Sequence, residues 1–121
     1  MARKDDVGRE GEQRAAAYLI DQGYEVLDRN WRLSTAGELD LVARRGSRLA
    51  VVEVKTRSSV AFGHPLEAID DRKLDRLWRL ACAWRREHPE LAAGARLRID
   101  AIAITGPDPS TAPLEHLRDL R

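Results

Sequence analysis

Apolar residues recur along this chain at two periods. From Gly8 to Gln22, Ala15, Ala16, Leu19 and Ile20 fall one, three and four positions apart, the inward stripe of a helix. Asp5 or Asp6 offers a cap for that helix and Gly23 a stop. Tyr24 to Arg32 reads as a first strand. Leu39 to Ala43 and Leu49 to Val54 are aliphatic, β-branched runs on either side of Arg45-Gly46-Ser47-Arg48, the pattern of a hairpin with a II′-type turn. After a loop from Arg57 to Pro65, Glu67 to His88 predicts a long helix whose stripe is Leu74, Leu77, Trp78, Ala81 and Trp84. Both tryptophans are therefore expected in a core, and Pro89 ends the helix. Leu97 to Ile104 predicts a buried fourth strand with Asp100 inside it. Gly106 to Pro113 is a loop with three prolines, and Leu114 to Leu120 reads as an edge strand or a helical turn. The order α-β-β-β-α-β, with a fifth strand if the last segment is extended, predicts an α/β sandwich around a mixed sheet.

The expected organisation is a single domain over residues 1–121. Its core runs from about 8 to 104, and 105–121 forms a C-terminal loop and a short edge element. Charged residues at 34% leave no stretch near the roughly 20 apolar residues that span a bilayer. The start, Met1 to Asp6, lacks the apolar centre of a signal peptide, so a cytoplasmic location is expected. Cys82 is the only cysteine, which excludes an internal disulfide and a cysteine-based zinc site. It lies in a helical apolar segment and reads as core filler. A net charge of +1 does not by itself indicate a nucleic-acid binder, although Arg supplies most of the 21 basic residues.

Charge placement changes the picture more than charge totals. With Gly46 and Ser47 as the turn, Asp40 falls opposite Glu53, and Glu38 opposite Lys55. Alternation along a strand then sends all four side chains to one face. Two carboxylates about 5 Å apart repel by on the order of 3 kcal/mol at an effective dielectric of about 20. A divalent cation between them reverses the sign, and hard oxygen ligands suit magnesium or manganese. The competing reading is a surface hairpin on which Lys55 neutralises the pair. Glu12 precedes the helix stripe by three and four residues and so shares its face, an odd position for an acid.

An ordered series of residues then resembles a known family. Gly8-x-x-Gly11-Glu12, Gly23-Tyr24, Arg29-Asn30, Gly37-Glu38-Leu39-Asp40-Leu41-Val42 and Val52-Glu53-Val54-Lys55-Thr56-Arg57 are similar to the YraN-like family of uncharacterised bacterial proteins. Phe62-Gly63-x-Pro65-x-Glu67-Ala68, Lys73 and Arg98-x-Asp100 continue the likeness. That family in turn resembles the PD-(D/E)xK restriction-endonuclease-like superfamily, especially archaeal Holliday-junction resolvases. The resemblance implies a three-layer α/β/α sandwich and a Mg2+- or Mn2+-dependent endonuclease acting on DNA, branched or structured DNA among its substrates. It implies Asp40, Glu53 and the Val54 carbonyl as metal ligands. Lys55 would orient or deprotonate the attacking water, and Glu12 would support the metal or its water. Arg32, Arg57, Lys73 and Arg76 would contact nucleic-acid phosphates. The resolvase likeness also suggests a homodimer and gives no role to a membrane. A nucleic-acid-binding module without turnover, or a protein-partner-binding domain, remains the alternative.

Overall fold

A computed structural model describes residues 4–61 and 63–121, which leaves Phe62 of the quoted series outside the described residues. The elements are α1 (Lys4–Asp21), β1 (Glu25–Arg32), β2 (Glu38–Arg45), β3 (Arg48–Arg57), α2 (Asp71–Glu87), α3 (Pro89–Ala92), β4 (Arg96–Thr105) and β5 (Leu114–Leu117). The strands form one mixed sheet in the order β1-β2-β3-β4-β5, with β3 and β4 parallel and the other pairs antiparallel. α1 covers one face with Ala15, Ala16 and Leu19, over Leu41, Ala43, Ala50, Val52, Val54, Ile102 and Ile104. α2 covers the other face with Leu77, Leu80, Ala81 and Trp84, over Leu39, Val42, Leu49, Val51 and Ile99. The result is a three-layer α/β/α arrangement consistent with a nuclease-like fold.

The hairpin follows its sequence. Arg45 pairs Arg48, and Leu41 pairs Val52, so the register is the expected one. Gly46 sits at φ +60 while Ser47 keeps a negative φ, the combination that a II′ turn requires. The final segment resolves as an edge strand, β5, antiparallel to β4.

Three local expectations need correction. Ile20 is 54% exposed and not part of the α1 stripe, because the sheet reaches only the Ala15–Ala16–Leu19 side of the helix. α1 already includes Asp5 and Asp6, so neither caps it; Asp6 instead pairs with Arg9 one turn on. The long helix is two pieces. Pro65–Ala68 forms a single 3-10 turn, and Asp70 then takes an extended backbone and accepts the Lys73 N–H as the N-cap of α2. An Asp that satisfies a free helical N–H is a strong start signal, and here it wins over continuity. Trp84 is fully buried as expected, while Trp78 packs at the edge of the core under the Arg121 guanidinium.

Candidate active site

β2 and β3 pair from the turn as far as Leu41 and Val52 and then part. The expected Asp40–Glu53 and Glu38–Lys55 rungs therefore do not form. β2 beyond this point stays with β1 through Trp31–Leu39 and Arg32–Glu38. Strand alternation also breaks here, since Leu39 and Leu41 enter opposite cores. Asp40 fills the fork. Its Oδ2 accepts the Val54 N–H at 2.9 Å, taking the place that a ladder carbonyl would hold.

The fork brings the acids together by side chain rather than by backbone pairing. Glu53 is 7% exposed, and both its charge and its side chain act on the Asp40 carboxyl. Burial, then the Glu53 charge, push the Asp40 pKa up to about 8, although the Val54 N–H opposes the shift. Among the described residues Asp40 has no cationic partner, whereas Glu53 has two. Lys55 Nζ stands 4.0 Å from Glu53 Oε1 and Lys73 Nζ 3.5 Å from Glu53 Oε2. Lys73 arrives from the first turn of α2, where the Asp70 cap fixes it. Glu53 and Lys55 thus look toward α2, while Val54 between them faces the α1 core.

Glu12 approaches from α1. Burial first, then the Glu38 charge, raise its pKa, with a smaller push from Glu53. Its approach depends on Gly11. A Cβ at that position would stand 2.1 Å from Thr56 Oγ1, far inside van der Waals contact, so glycine is what lets α1 lie this close to β3. The Asn30 amide, turned as its two acceptor neighbours demand, donates to Glu12 Oε2 at 2.9 Å and Glu38 Oε1 at 3.0 Å. Asn30 holds φ +52 inside β1, a conformation Asn tolerates better than most residues. Asn30 was absent from the site residues read from sequence. Its signals were an Asn interrupting a strand pattern and its place in the Arg29-Asn30 pair of the family-like series.

The four basic residues expected to meet phosphate are spread around the fork. Lys73 lies inside the acid cluster. Arg32 is exposed and pairs with Glu38 at 2.9 Å. Arg57 ends β3 in solvent, and Arg76 lies on the exposed side of α2 with its guanidinium beside Gly37. His64 caps the 3-10 turn and meets Glu115 at 2.8 Å, a structural position. Among the described residues no three His, Cys, Asp or Glu side chains gather as a ready metal cluster. The oxygen donors at the fork are two carboxylates and the backbone around Val54.

A mixed five-stranded sheet between helices makes this a three-layer α/β/α protein, consistent with a nuclease-like fold, with two carboxylates and two lysines where β2 and β3 part. The sequence profile of the uncharacterised protein family UPF0102 matches residues 11–104, and the chain belongs to that family. It is 50% identical over 118 residues to a UPF0102 protein of Arthrobacter sp. (strain FB24), covering 98% of both chains. It is 51% identical to one of Beutenbergia cavernae over the same length, again 98% of both chains. A UPF0102 protein of Renibacterium salmoninarum is 45% identical over 120 residues, 99% of each chain. No helix among the described residues is long and apolar enough to cross a membrane.

Proposed function

We propose that this protein is a divalent-metal-dependent endonuclease that hydrolyses phosphodiester bonds in DNA, with branched or otherwise structured DNA as the first substrates to test. The observation that carries this reading is the fork itself. β2 leaves β3 at the residue that delivers Asp40 beside Glu53, whose other side meets Lys55 and Lys73. A strand pair that gives up its ladder to bury two like charges loses stability unless something else compensates.

The donor set fits a hard cation. Asp40 lacks a cationic partner among the described residues, and its raised pKa marks charge that the protein alone does not stabilise. In the proposed site Asp40, Glu53 and the Val54 carbonyl hold Mg2+ or Mn2+. When bound, the ion lowers the pKa of water and neutralises charge on the scissile phosphate. Lys55 orients the attacking water or takes its proton. Oxygen from that water forms the new bond to phosphorus as the bond to the leaving sugar oxygen breaks, and that oxygen takes up a proton from solvent to leave as the alcohol. Glu12, held by Asn30, supports the metal or a water beside it. Arg32, Arg57 and Arg76 contact flanking phosphates, and Lys73 steadies Glu53.

One observation favours a second reading, a nucleic-acid-binding module without turnover. The Glu53 charge already meets both Lys55 and Lys73. The deciding experiment incubates the full chain with linear, nicked, flapped and four-way DNA, with and without manganese. Manganese-dependent cleavage of at least one substrate is expected. Binding without cleavage on every substrate would replace the nuclease with the binding module.

A further inference from the structure

The other end of β3 carries a different chemistry. Arg48 opens that strand and is the register partner of Arg96, which opens β4. Arg96 N donates to Ser47 O at 2.6 Å, which ties the two strand starts together. Two residues along β4 stands Arg98. An open pocket of about 190 Å³ lies here, lined by Arg48, Arg96, Leu97, Arg98, Arg118 and Asp119. Five strand residues at about 3.3 Å each put Arg48 roughly 17 Å from Glu53.

The pocket has a fixed base. Arg98 is 7% exposed, and its guanidinium donates to both Asp100 oxygens at 2.7 and 2.8 Å and to Tyr24 Oη at 2.7 Å. Asp100 is fully buried and also accepts from His116 Nε2 at 2.8 Å and from the Asp119 N–H at 3.0 Å. The last contact anchors the chain end, which turns at Asp119 (φ +61) and rejoins β4. Leu120 N donates to Ile99 O, and Ile99 N to Arg121 O, both at 2.7 Å. Arg118 is carried to the pocket on this anchored segment.

Arg98 is neutralised by Asp100. Arg48, Arg96 and Arg118 form no side-chain ion pair among the described residues, so the lining holds three arginines free of such pairing against one exposed carboxylate, Asp119. Guanidinium forks match the oxygen spacing of phosphate. The volume is below the roughly 300 Å³ where pockets for larger ligands begin, so it suits a single phosphate group rather than a whole nucleotide. We infer that the strand starts of β3 and β4, closed by the C-terminal segment, form a phosphate-group site separate from the acidic fork. The phosphate belongs either to a small phosphorylated molecule, with a terminal monoester, or to an internal diester of a nucleic-acid strand.

The test is calorimetry on the full chain at low ionic strength in EDTA. The probes are inorganic phosphate, a 5′-phosphorylated tetranucleotide and the same tetranucleotide without its terminal phosphate. EDTA keeps the acidic fork free of metal, so that it repels these anions. The double variant Arg48→Gln, Arg118→Gln removes two exposed groups and leaves Arg98 and the core untouched. Saturable binding of at least one probe is expected, weakened about tenfold or more in the variant, the scale of a lost charge-assisted contact. An unchanged melting temperature shows that the variant is folded. Preference for the phosphorylated tetranucleotide assigns the site to a terminal monoester, and equal binding of both tetranucleotides assigns it to a diester. No binding of any probe, or equal binding by parent and variant, overturns the proposal.

Discussion

Asp40 and Asp100 are both aspartates inside strands of one sheet, yet their surroundings treat them in opposite ways. Burial would raise the pKa of either. For Asp100, hydrogen bonds from His116, Arg98 and the Asp119 N–H outweigh that burial and hold the carboxyl below its ordinary range. Nε2 of His116 donates to the carboxylate, and its Nδ1 meets Tyr18 Oη at 3.0 Å. Asp40 receives one backbone N–H and faces a second acid, and its pKa rises to about 8. A buried acid whose hydrogen bonds are complete is part of the scaffold. One left beside a like charge points to a partner from outside.

The largest expected effect separates these roles at the level of chemistry. Lys55→Ala should slow single-turnover cleavage by on the order of 10²–10⁴ at matched folded concentration, the scale of a lost acid–base group. An unchanged rate would remove Lys55 from the mechanism. Next in size, Asp100→Ala should cost about 3–5 kcal/mol in urea unfolding, since it strands the buried Arg98 charge. A loss under about 1 kcal/mol would place Asp100 on the same footing as a surface residue. Gly11→Ala should cost about 1–3 kcal/mol, because α1 must move off Thr56 to admit the methyl group.

The smallest effect carries the opposite sign. Asp40→Asn keeps an oxygen for the Val54 N–H and removes the repulsion. In EDTA at pH 8 it should melt at or above the parent. The native pKa of Asp40 is raised, so the native state holds a proton that the unfolded chain has released. Parent stability therefore falls as pH rises from about 4 to about 8, and the Asn variant escapes that fall. Its advantage should shrink on going from pH 8 to pH 5. A variant that melts below the parent at pH 8 would give Asp40 the structural role that Asp100 holds.

Much of this contrast could be read from the residues. Gly46-Ser47 set the turn, and the turn set a register that the hairpin keeps. The acids and lysine on those strands were visible for the same reason. The fork was not, because a ladder that ends at Leu41 depends on where β1 pulls β2 and on an Asp side chain replacing a carbonyl. Periodicity registers neither. Lys73 reaches Glu53 only because Asp70 restarts the helix, which a continuous stripe from Glu67 hides. The Asp100 network was also hidden, since His116 comes from the segment whose strand or helix character the sequence left open. Ile20 shows the limit of stripe reading, because spacing gives a helix face but not the width of the sheet beneath it.

The most direct test of the acidic fork is manganese calorimetry near pH 8 on the parent and on Asp40→Asn, with folding of both confirmed by melting. One ion per chain in the parent and at least about tenfold weaker binding in the variant is the expected result. Proton release should accompany binding, because the ion displaces the proton that the native Asp40 retains. Equal affinity in the two proteins would contradict a metal centre at Asp40 and Glu53.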